Sequence, residues 1–335
     1  MSYYFTLPRF NDLNDNQKLA LGEIDAISLS GGPGTGKTVV SLLRHINNYK
    51  KNPPVKSLLL TYTKTLEHYL INTANSRNNN AGKNIDRTQR WIFSKAKTNF
   101  EEIIIDEAQD VPIDYYETIN KYAGRVSFGA DDAQSLYQGT CNTSELNKLF
   151  SENEDYELEK NYRNSREILE FTISVFPNIY ISRNALNSAG MTGRKPFCIE
   201  LGWDNFDDSV VNNIIDISQE FNDASHNIGV LVAGDKQVDK YFDILTKRIK
   251  CSKYHSKMPG FNTLERLHIT TFKSSKGLEF DTVIIPSFDS YSWFIKESDN
   301  FSENDFYVAI TRAKLNLYLL CKNDLKISAN TYITL

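Results

Sequence analysis

Short apolar runs alternate along the first half of the chain with segments whose apolar residues recur at helical spacing. Uninterrupted runs of this length predict buried strands, and the helical recurrence predicts helices that pack on them. Residues 71–84 are rich in Asn, Ser and Gly and predict an exposed loop. The predicted strands are residues 26–30, 58–61, 103–105 and 125–130, and the predicted helices are residues 39–49 and 87–98.

The second half of the chain repeats this alternation of strand and helix patterns. Such alternation is typical of an α/β fold with mostly parallel sheets. The polar, acidic residues 140–155 interrupt the pattern, so we expect two domains, residues 1–153 and 154–335. The predicted strands are residues 196–201, 228–233, 268–272, 282–286 and 315–320, and the predicted helices are residues 208–221, 236–249 and 305–314, of which the last leads into a strand.

Composition narrows the classes of protein that this sequence can encode. The length of 335 residues suits about two domains, and no apolar run is long enough to span a bilayer. No basic flank precedes an apolar stretch at the start, so we expect no secretory signal. The four cysteines form no C-x-x-C pair, which argues against a zinc site and favours reduced thiols in the cytoplasm. The net charge of −4 does not indicate nucleic-acid binding, although a locally basic, aromatic groove would still hold a single strand.

A glycine-rich loop follows the first predicted strand. Residues 31–38 fit the pattern G-x-x-x-x-G-K-[ST] at every fixed position, between a predicted strand and a predicted helix. Backbone N–H groups of such a loop point at a phosphate chain, and the helix N-terminus adds a favourable dipole. Lys37 would neutralise the β- and γ-phosphates, and the Thr38 hydroxyl would ligate Mg²⁺. The predicted ATP-binding residues of the loop are Gly32, Pro33, Gly34, Thr35, Gly36, Lys37 and Thr38.

Two further groups of residues are placed to contact ligands in the first half. Gln17 precedes the loop, and its amide has the donors and acceptor that complement an adenine edge. Tyr62 and Lys64 follow the strand of residues 58–61, and ligands of α/β sheets lie beyond the carboxyl ends of strands. Tyr62 is therefore a candidate for stacking on a base, and Lys64 for contacting a phosphate; an ordinary turn remains the alternative.

Carboxylates and an amide stand at the ends of the next two strands. Asp106 would bind Mg²⁺, and Glu107 would orient and deprotonate an attacking water. Gln134 follows the strand of residues 125–130 and is a candidate sensor of the γ-phosphate. Tyr137, three positions further on, would present its ring to a base.

The second half contains cationic residues at comparable positions. Arg312 is a candidate for reaching the γ-phosphate, because a guanidinium matches phosphate geometry. Residues 270–280 begin at a strand end and contain four hydroxyl side chains, two cations and one acid. Residues 247–257 form the most basic stretch; they would either track a phosphate backbone or be an ordinary solvated helix end and loop.

In this order, the motifs resemble those of superfamily 1 helicases, closest to the UvrD/Rep/PcrA branch. The matching blocks run from about residue 13 to residue 320. They are Gln17, residues 31–38, residues 61–64, Asp106-Glu107-Ala108-Gln109-Asp110, residues 134–137, Asn161-Tyr162-Arg163, residues 276–280 and residues 307–313.

The resemblance implies two RecA-like domains with ATP in the cleft between them. It implies that Tyr162 stacks on adenine, that Arg163 and Arg312 contact the γ-phosphate, and that Glu279 holds the nucleotide. Tyr62 and Tyr137 would stack on the bases of single-stranded DNA, with Lys273 as a further contact and RNA left open. Family members move 3′ to 5′, a polarity inferred here by analogy.

The sequence also departs from the family pattern. Val39 replaces an arginine, Lys273 a histidine, and Gln138 a larger residue that contacts bases. The intervals between the motifs leave little room for the family's accessory domains, so we expect a reduced motor. The leading hypothesis is an ATP-dependent DNA helicase or translocase. The alternative is an ATP-gated DNA-binding subunit that regulates a protein partner such as a nuclease; a kinase would leave the arginine blocks unexplained.

Overall fold

A computed structural model describes the chain over residues 7–137, 139–179, 181, 183–187, 189, 193–259, 264–298, 301–325, 327 and 329–335. Gln138, one of the departures from the family pattern, lies outside these residues. Backbone contacts divide the chain into two units, of which one ends at Lys160 and the other begins at Asn161.

The first unit is built on a parallel sheet with the strand order β3-β2-β4-β5-β1-β6. Each run of apolar residues predicted as a strand in this half forms one. The strands are β1 (Ile27–Ser30), β2 (Ser57–Thr61), β3 (Ile85–Arg87), β4 (Phe100–Asp106), β5 (Ala123–Gly129) and β6 (Glu154–Glu157).

The isoleucines of β4 show why this sheet is covered on both faces. Ile103 and Ile105 pack in one apolar cluster together with Leu58 and Leu60 of β2. Ile104, whose side chain points the other way, packs in a second cluster. A strand that is buried on both faces reads as a continuous apolar run, which is the pattern found in the sequence.

Two features of the first unit concern predictions made from the sequence: the helices at residues 71–84 and the strand β6 near the expected domain boundary. Residues 71–84 are not a loop: they contain the end of α3 (Lys64–Asn75) and all of α4 (Asn79–Lys83), so that prediction is wrong. β6 pairs with β1 in parallel, which puts residues 154–157 in the first sheet although we expected the second domain to begin at residue 154. The helices are α1 (Asp15–Gly22), α2 (Lys37–Asn48), α3 (Lys64–Asn75), α4 (Asn79–Lys83), α5 (Thr88–Phe93), α6 (Ile113–Tyr122) and α7 (Thr143–Leu149).

The second unit is built on a second parallel sheet, with the order β13-β7-β12-β11-β8-β10-β9. Its strands are β7 (Phe197–Glu200), β8 (Ile228–Val232), β9 (Ser252–Tyr254), β10 (Leu267–Thr271), β11 (Phe280–Pro286), β12 (Ala313–Cys321) and β13 (Ile333–Thr334). Its helices are α8 (Arg166–Val175), α9 (Arg183–Asn187), α10 (Phe206–Glu220), α11 (Asp235–Leu245), α12 (Tyr291–Glu297) and α13 (Glu303–Ile310).

The basic stretch of residues 247–257 is largely paired with carboxylates. Lys253 Nζ lies 2.7 Å from Asp239 Oδ1, and Lys257 Nζ lies 3.0 Å from Asp235 Oδ2. Part of the stretch forms β9 at the edge of the sheet. These pairs favour the ordinary structural interpretation of the stretch over a track for phosphates.

Both units therefore have the α/β architecture with parallel sheets that the sequence predicts, and the predicted fold class is confirmed. None of the helices in the described part of the chain is long and apolar enough to cross a membrane.

The buried histidine of α2, His45, makes the stability of the first unit depend on pH, which allows the packing of this helix to be tested. Its ring is buried, with Nδ1 2.9 Å from Ser57 Oγ and Nε2 2.9 Å from Ala81 O. Burial lowers the pKa of His45 to about 4 from its usual 6.5. Below pH 6.5 the unfolded chain takes up a proton that the folded chain excludes, so we expect stability to fall as the pH drops from 6.5 towards 4.

The measurement is urea unfolding between pH 7 and pH 5. His45→Gln should reduce the loss of stability by about 1.4 kcal/mol for each pH unit below 6.5. His68→Gln, at an exposed histidine, is the matched control and should leave the slope as it is in the wild type. Identical slopes for the wild type and His45→Gln would contradict the prediction.

Candidate nucleotide and nucleic-acid site

The glycine-rich loop joins β1 to α2 in the first unit. Gly31, Gly34 and Gly36 have φ angles of 137°, 69° and 93°, a region that residues with side chains rarely adopt. These glycines let the loop curl into the N-terminus of α2, which begins at Lys37. The local backbone therefore has the form of an anion-binding loop.

Gln17 packs directly against this loop. Its side-chain amide donates to Thr35 O at 2.9 Å, and its amide oxygen accepts from the Asn14 backbone at 3.1 Å. A side chain at Gly36 would collide with the Gln17 amide. The structure thus places the Gln17 side chain against the loop, and its role in reading a base stays a prediction.

Lys37 bends back over the loop that precedes it. Its Nζ donates to Gly31 O at 2.6 Å and to Gly32 O at 2.9 Å, and it lies 3.5 Å from Asp131 Oδ2. The side chain is buried within the first unit's site. Its ammonium group is therefore held at the loop, where a phosphate chain would meet it.

Asp106 faces the same place from the end of β4. A side chain at Gly129, on the adjacent strand β5, would lie 3.5 Å from Lys37 Cβ and 3.7 Å from Asp106 Oδ1. The missing side chain keeps this space between the lysine and the carboxylate open. Thr38, the next residue of α2, is half-buried. The Thr38 hydroxyl and the Asp106 carboxylate are hard oxygen donors of the kind that Mg²⁺ prefers, so the residues fit that ion.

A chain of hydrogen bonds connects Glu107 to the end of β5. Glu107 has a left-handed backbone, with φ 62°, and its carboxylate accepts from the Gln109 amide at 2.7 Å. Gln109 Oε1 accepts from the backbone of Asp131 at 3.1 Å. Gln134 Nε2 donates to Asp131 Oδ2 at 2.5 Å. Since Asp131 also lies beside Lys37, the predicted residues Lys37, Glu107 and Gln134 belong to one connected cluster.

Tyr62 and Tyr137 come together beyond the carboxyl ends of the strands. Their ring centroids are 4.7 Å apart with a tilt of 40°. Tyr62 follows β2, and Lys64 is the first residue of α3, whose N-terminus is capped by Thr63. The two tyrosines predicted independently as base-stacking residues thus form one aromatic pair.

In the second unit, Glu279 lies between two cations. Arg163 Nε is 2.9 Å from Glu279 Oε2, and Lys314 Nζ is 3.2 Å from Glu279 Oε1. Burial alone would raise the pKa of Glu279, but Arg163 and Lys314 lower it to about 2. Glu279 is therefore a fixed negative charge that positions Arg163.

Arg312 is buried in a frame of backbone carbonyls. Its guanidinium donates to Val308 O at 3.0 Å and to Leu278 O at 3.3 Å. Asn164 Nδ2 donates to Thr311 O at 3.0 Å and to Ala313 O at 2.6 Å, on either side of Arg312. The block that contains Arg163 and the block that contains Arg312 are thereby joined.

Tyr162 and Lys273 are the remaining predicted residues of the second unit. Tyr162 is half-buried next to Arg163. Lys273 follows β10, with its Nζ 3.8 Å from Asp305 Oδ1 and 5.9 Å from the centroid of the Phe301 ring. Part of the Lys273 charge is thus balanced by a carboxylate of α13.

Sequence reasoning missed four residues that hold the site together. Asp131 and Gln109 connect Lys37, Glu107 and Gln134, while Lys314 and Asn164 organise Arg163 and Arg312. Asp131 directly follows the end of a predicted strand, a signal that was available in the sequence. Gln109 lies in the matched block of residues 106–110 but was assigned no role there, and Asn164 carried no signal because its partners are backbone oxygens far along the chain.

Comparison with known proteins agrees with the expected family. Residues 253–324 match the model of the UvrD-like helicase C-terminal domain, and the predicted resemblance to UvrD-like helicases is confirmed. A search of curated protein sequences gives no match.

Two solved structures of helicases are similar to the chain. One is the C-terminal domain of a possible DNA helicase from Lactobacillus plantarum WCFS1, with 15% identity, a TM-score of 0.39, and coverage of 52% of this chain and 98% of the other. The second is arterivirus nonstructural protein 10, a helicase, with 15% identity, a TM-score of 0.44, and coverage of 92% of this chain and 62% of the other. This chain thus spans less than two thirds of the arterivirus protein.

Proposed function

We propose that this chain, with its UvrD-like helicase C-terminal domain, is an ATPase that is stimulated by nucleic acid and moves along single-stranded DNA. The observation that carries the proposal is the cluster around Lys37. Lys37 of the glycine-rich loop and Gln134 contact Asp131 there directly, and the strand-end carboxylate of Glu107 is linked to Asp131 through Gln109. Movement from 3′ to 5′ is part of the proposal by analogy with the family.

Each residue of the cluster has a role in hydrolysis. Lys37 neutralises the phosphate chain, and Thr38 and Asp106 would hold Mg²⁺, which when bound shields phosphate charge. Glu107 orients the attacking water and accepts its proton. Gln134, held by Asp131, transmits the state of the phosphates to the adjacent Tyr137. Gln17 reads the base.

The second unit contributes positive charge and a stacking ring. We propose Arg163 and Arg312 as ligands of the γ-phosphate, Tyr162 as the ring that stacks on adenine, and Glu279 as the carboxylate that positions Arg163. The fixed charge of Glu279 suits this role, because an ionised carboxylate holds an arginine fork in a defined orientation.

The single strand would be gripped by aromatic residues. Tyr62 and Tyr137 form a stacking platform at the carboxyl edge of the first sheet, with Lys64 beside it for a phosphate. Stacking on aromatic rings tolerates any sequence, which suits a protein that moves along its substrate. We propose Lys273 as a contact from the second unit.

Rates of ATP hydrolysis test the proposal. They are measured without nucleic acid and with single-stranded DNA, single-stranded RNA or duplex. We expect single-stranded DNA to raise the rate at least about tenfold, and Tyr62→Ala to raise the DNA concentration needed for half-maximal stimulation, since stacking contributes about 1–3 kcal/mol per base. Hydrolysis that no nucleic acid stimulates would refute the proposal.

A second function is an ATP-gated regulatory subunit for a partner such as a nuclease. The short intervals between motifs favour it, because they leave little room for accessory domains. A strand-displacement assay with the isolated chain separates the two functions. Robust unwinding would exclude the regulatory role, whereas hydrolysis without unwinding until a partner is added would favour it.

A further inference from the structure

A cavity of about 620 Å³ opens at the carboxyl edge of the second sheet. Its walls come from the loops after β7, β11 and β12, from the first turn of α10 and from the first two turns of α11. Its volume is in the range of sites that bind small molecules or single residues of a polymer. None of the residues proposed above to bind nucleotide or nucleic acid lines it.

The cavity lies where the connections between strands switch from one side of the sheet to the other. β8 and β11 are neighbours; the chain continues from β8 towards β9 on one side and from β11 towards β12 on the other. Ser287, after β11, and Gln237, in α11 after β8, both line the cavity. Such a switch point leaves a crevice beyond the strands, which is where open α/β sheets bind ligands. Glu279 and Arg312, in contrast, precede β11 and β12 at the opposite edge.

An exposed tryptophan forms one wall of this cavity. Trp203 is 67% exposed, yet its indole N–H donates to Asn323 Oδ1 at 3.2 Å, so the ring is held in place. Lys322 Nζ lies 4.5 Å from the centroid of the Trp203 ring and 5.1 Å from that of Phe206. A fixed aromatic ring that stays in solvent is a stacking platform, here with a cation over one of its two faces.

The charges around the cavity nearly balance. Two lysines and two aspartates line the cavity. Lys240 forms an ion pair with Asp207, and the other two charged residues are Lys322 and Asp208. This balance does not suit a free anion. It suits an uncharged aromatic ring whose edge donates hydrogen bonds to the Asp208 carboxylate and whose attached phosphate lies towards Lys322.

We propose that this cavity receives one base of a single strand of nucleic acid, stacked on Trp203 with an amino group directed at Asp208. The inference rests on the proposed function and adds a base-binding subsite to it. Lys273 follows β10 on the same edge of the sheet. Since neighbouring strands lie about 4.8 Å apart, the four spacings from β10 to β7 amount to about 19 Å, which a short stretch of single strand would cover.

Binding of labelled dodecamers of deoxycytidine and of thymidine tests the subsite, with fluorescence anisotropy as the measurement on the full chain. Both bases are pyrimidines, but only cytosine offers an amino donor to a carboxylate. We expect Trp203→Ala to raise the Kd for the cytidine oligomer about tenfold and Trp203→Phe to raise it less than about threefold, because stacking needs a ring. Trp293→Ala removes a tryptophan that is 60% exposed in α12 and is the matched control; it should bind as the wild type does.

Asp208→Asn tests the recognition of the amino group. The wild type should prefer the cytidine oligomer about threefold, and the variant should lose this preference while it binds the thymidine oligomer unchanged. Equal binding of the cytidine oligomer by the wild type and Trp203→Ala, or an equal loss in Trp203→Ala and Trp293→Ala, would overturn the proposal. An absence of cytidine preference in the wild type would overturn the role of Asp208.

Hydrolysis rates distinguish failure of this inference from failure of the proposed function. If the subsite is real, Trp203→Ala should need about tenfold more DNA than the wild type for half-maximal stimulation of hydrolysis. If DNA stimulates both proteins at the same concentration, the subsite is refuted and the proposed function stands. If DNA stimulates neither, the proposed function fails.

Discussion

Lys37→Ala should reduce ATP hydrolysis by at least about 100-fold, because the proposed function makes Lys37 the charge that neutralises the phosphates. Its ammonium group donates to Gly31 O at 2.6 Å and to Gly32 O at 2.9 Å, so it is held at the glycine-rich loop. The measurement is the steady-state rate of phosphate release with saturating single-stranded DNA.

The appropriate control separates loss of charge from loss of fold. Lys83→Ala removes an exposed lysine from the last turn of α4 and should keep the full rate. The far-UV circular dichroism of Lys37→Ala should match that of the wild type, since the loop backbone is held by its glycines and by Gln17. A Lys37→Ala protein that hydrolyses ATP as the wild type does would remove the basis of the proposed function.

Local sequence signals were sufficient where a structure depends on its own residues. The isoleucines of β4 form a strand because continuous apolar residues can be buried on both faces of a parallel sheet. The loop of residues 31–38 adopts its curled form because Gly31, Gly34 and Gly36 tolerate positive φ angles. In both cases the composition of a few consecutive residues fixes the conformation.

The sequence was misleading where distant contacts decide the outcome. Residues 71–84 look like a loop, but the Asn78 side chain accepts from the N–H groups of Asn80 and Ala81 and begins α4. Ala74 and Ala81 are buried in the core of the unit. The Asn-rich composition gives no sign of this burial, which depends on packing against other parts of the first unit.

The connections within the candidate site were equally hidden. The sequence picked out Lys37, Glu107 and Gln134 from their positions after strands, but not Asp131, which links them. Which polar residues meet across neighbouring strand ends depends on the strand order, and the sequence does not state that β5 lies between β1 and β4. Likewise, the pairing of Arg163 with Glu279 joins residues from separate blocks.

Glu102→Ala should destabilise the first unit by about 3–5 kcal/mol, because the buried Arg44 would lose its countercharge. Glu102 is fully buried in β4 and accepts from Arg44 Nε at 2.7 Å, Asn48 Nδ2 at 2.6 Å and Ser127 Oγ at 2.6 Å. Burial acts to raise the pKa of Glu102, but Arg44 and Ser127 keep it below its usual value. The carboxylate is therefore charged at neutral pH.

Urea unfolding of the variants at pH 7 measures this network. Arg125→Ala removes a cation that lies 3.4 Å from Glu102 and is 28% exposed, and it should cost less than Glu102→Ala, because Arg44 still neutralises the buried carboxylate. The double variant Arg44→Met with Glu102→Leu removes both charges and should be more stable than Glu102→Ala, because no buried charge is left unpaired. If Glu102→Ala costs no more than Arg125→Ala, the buried pair does not hold α2 against β4, and the start of β4 must be stabilised by its apolar contacts alone.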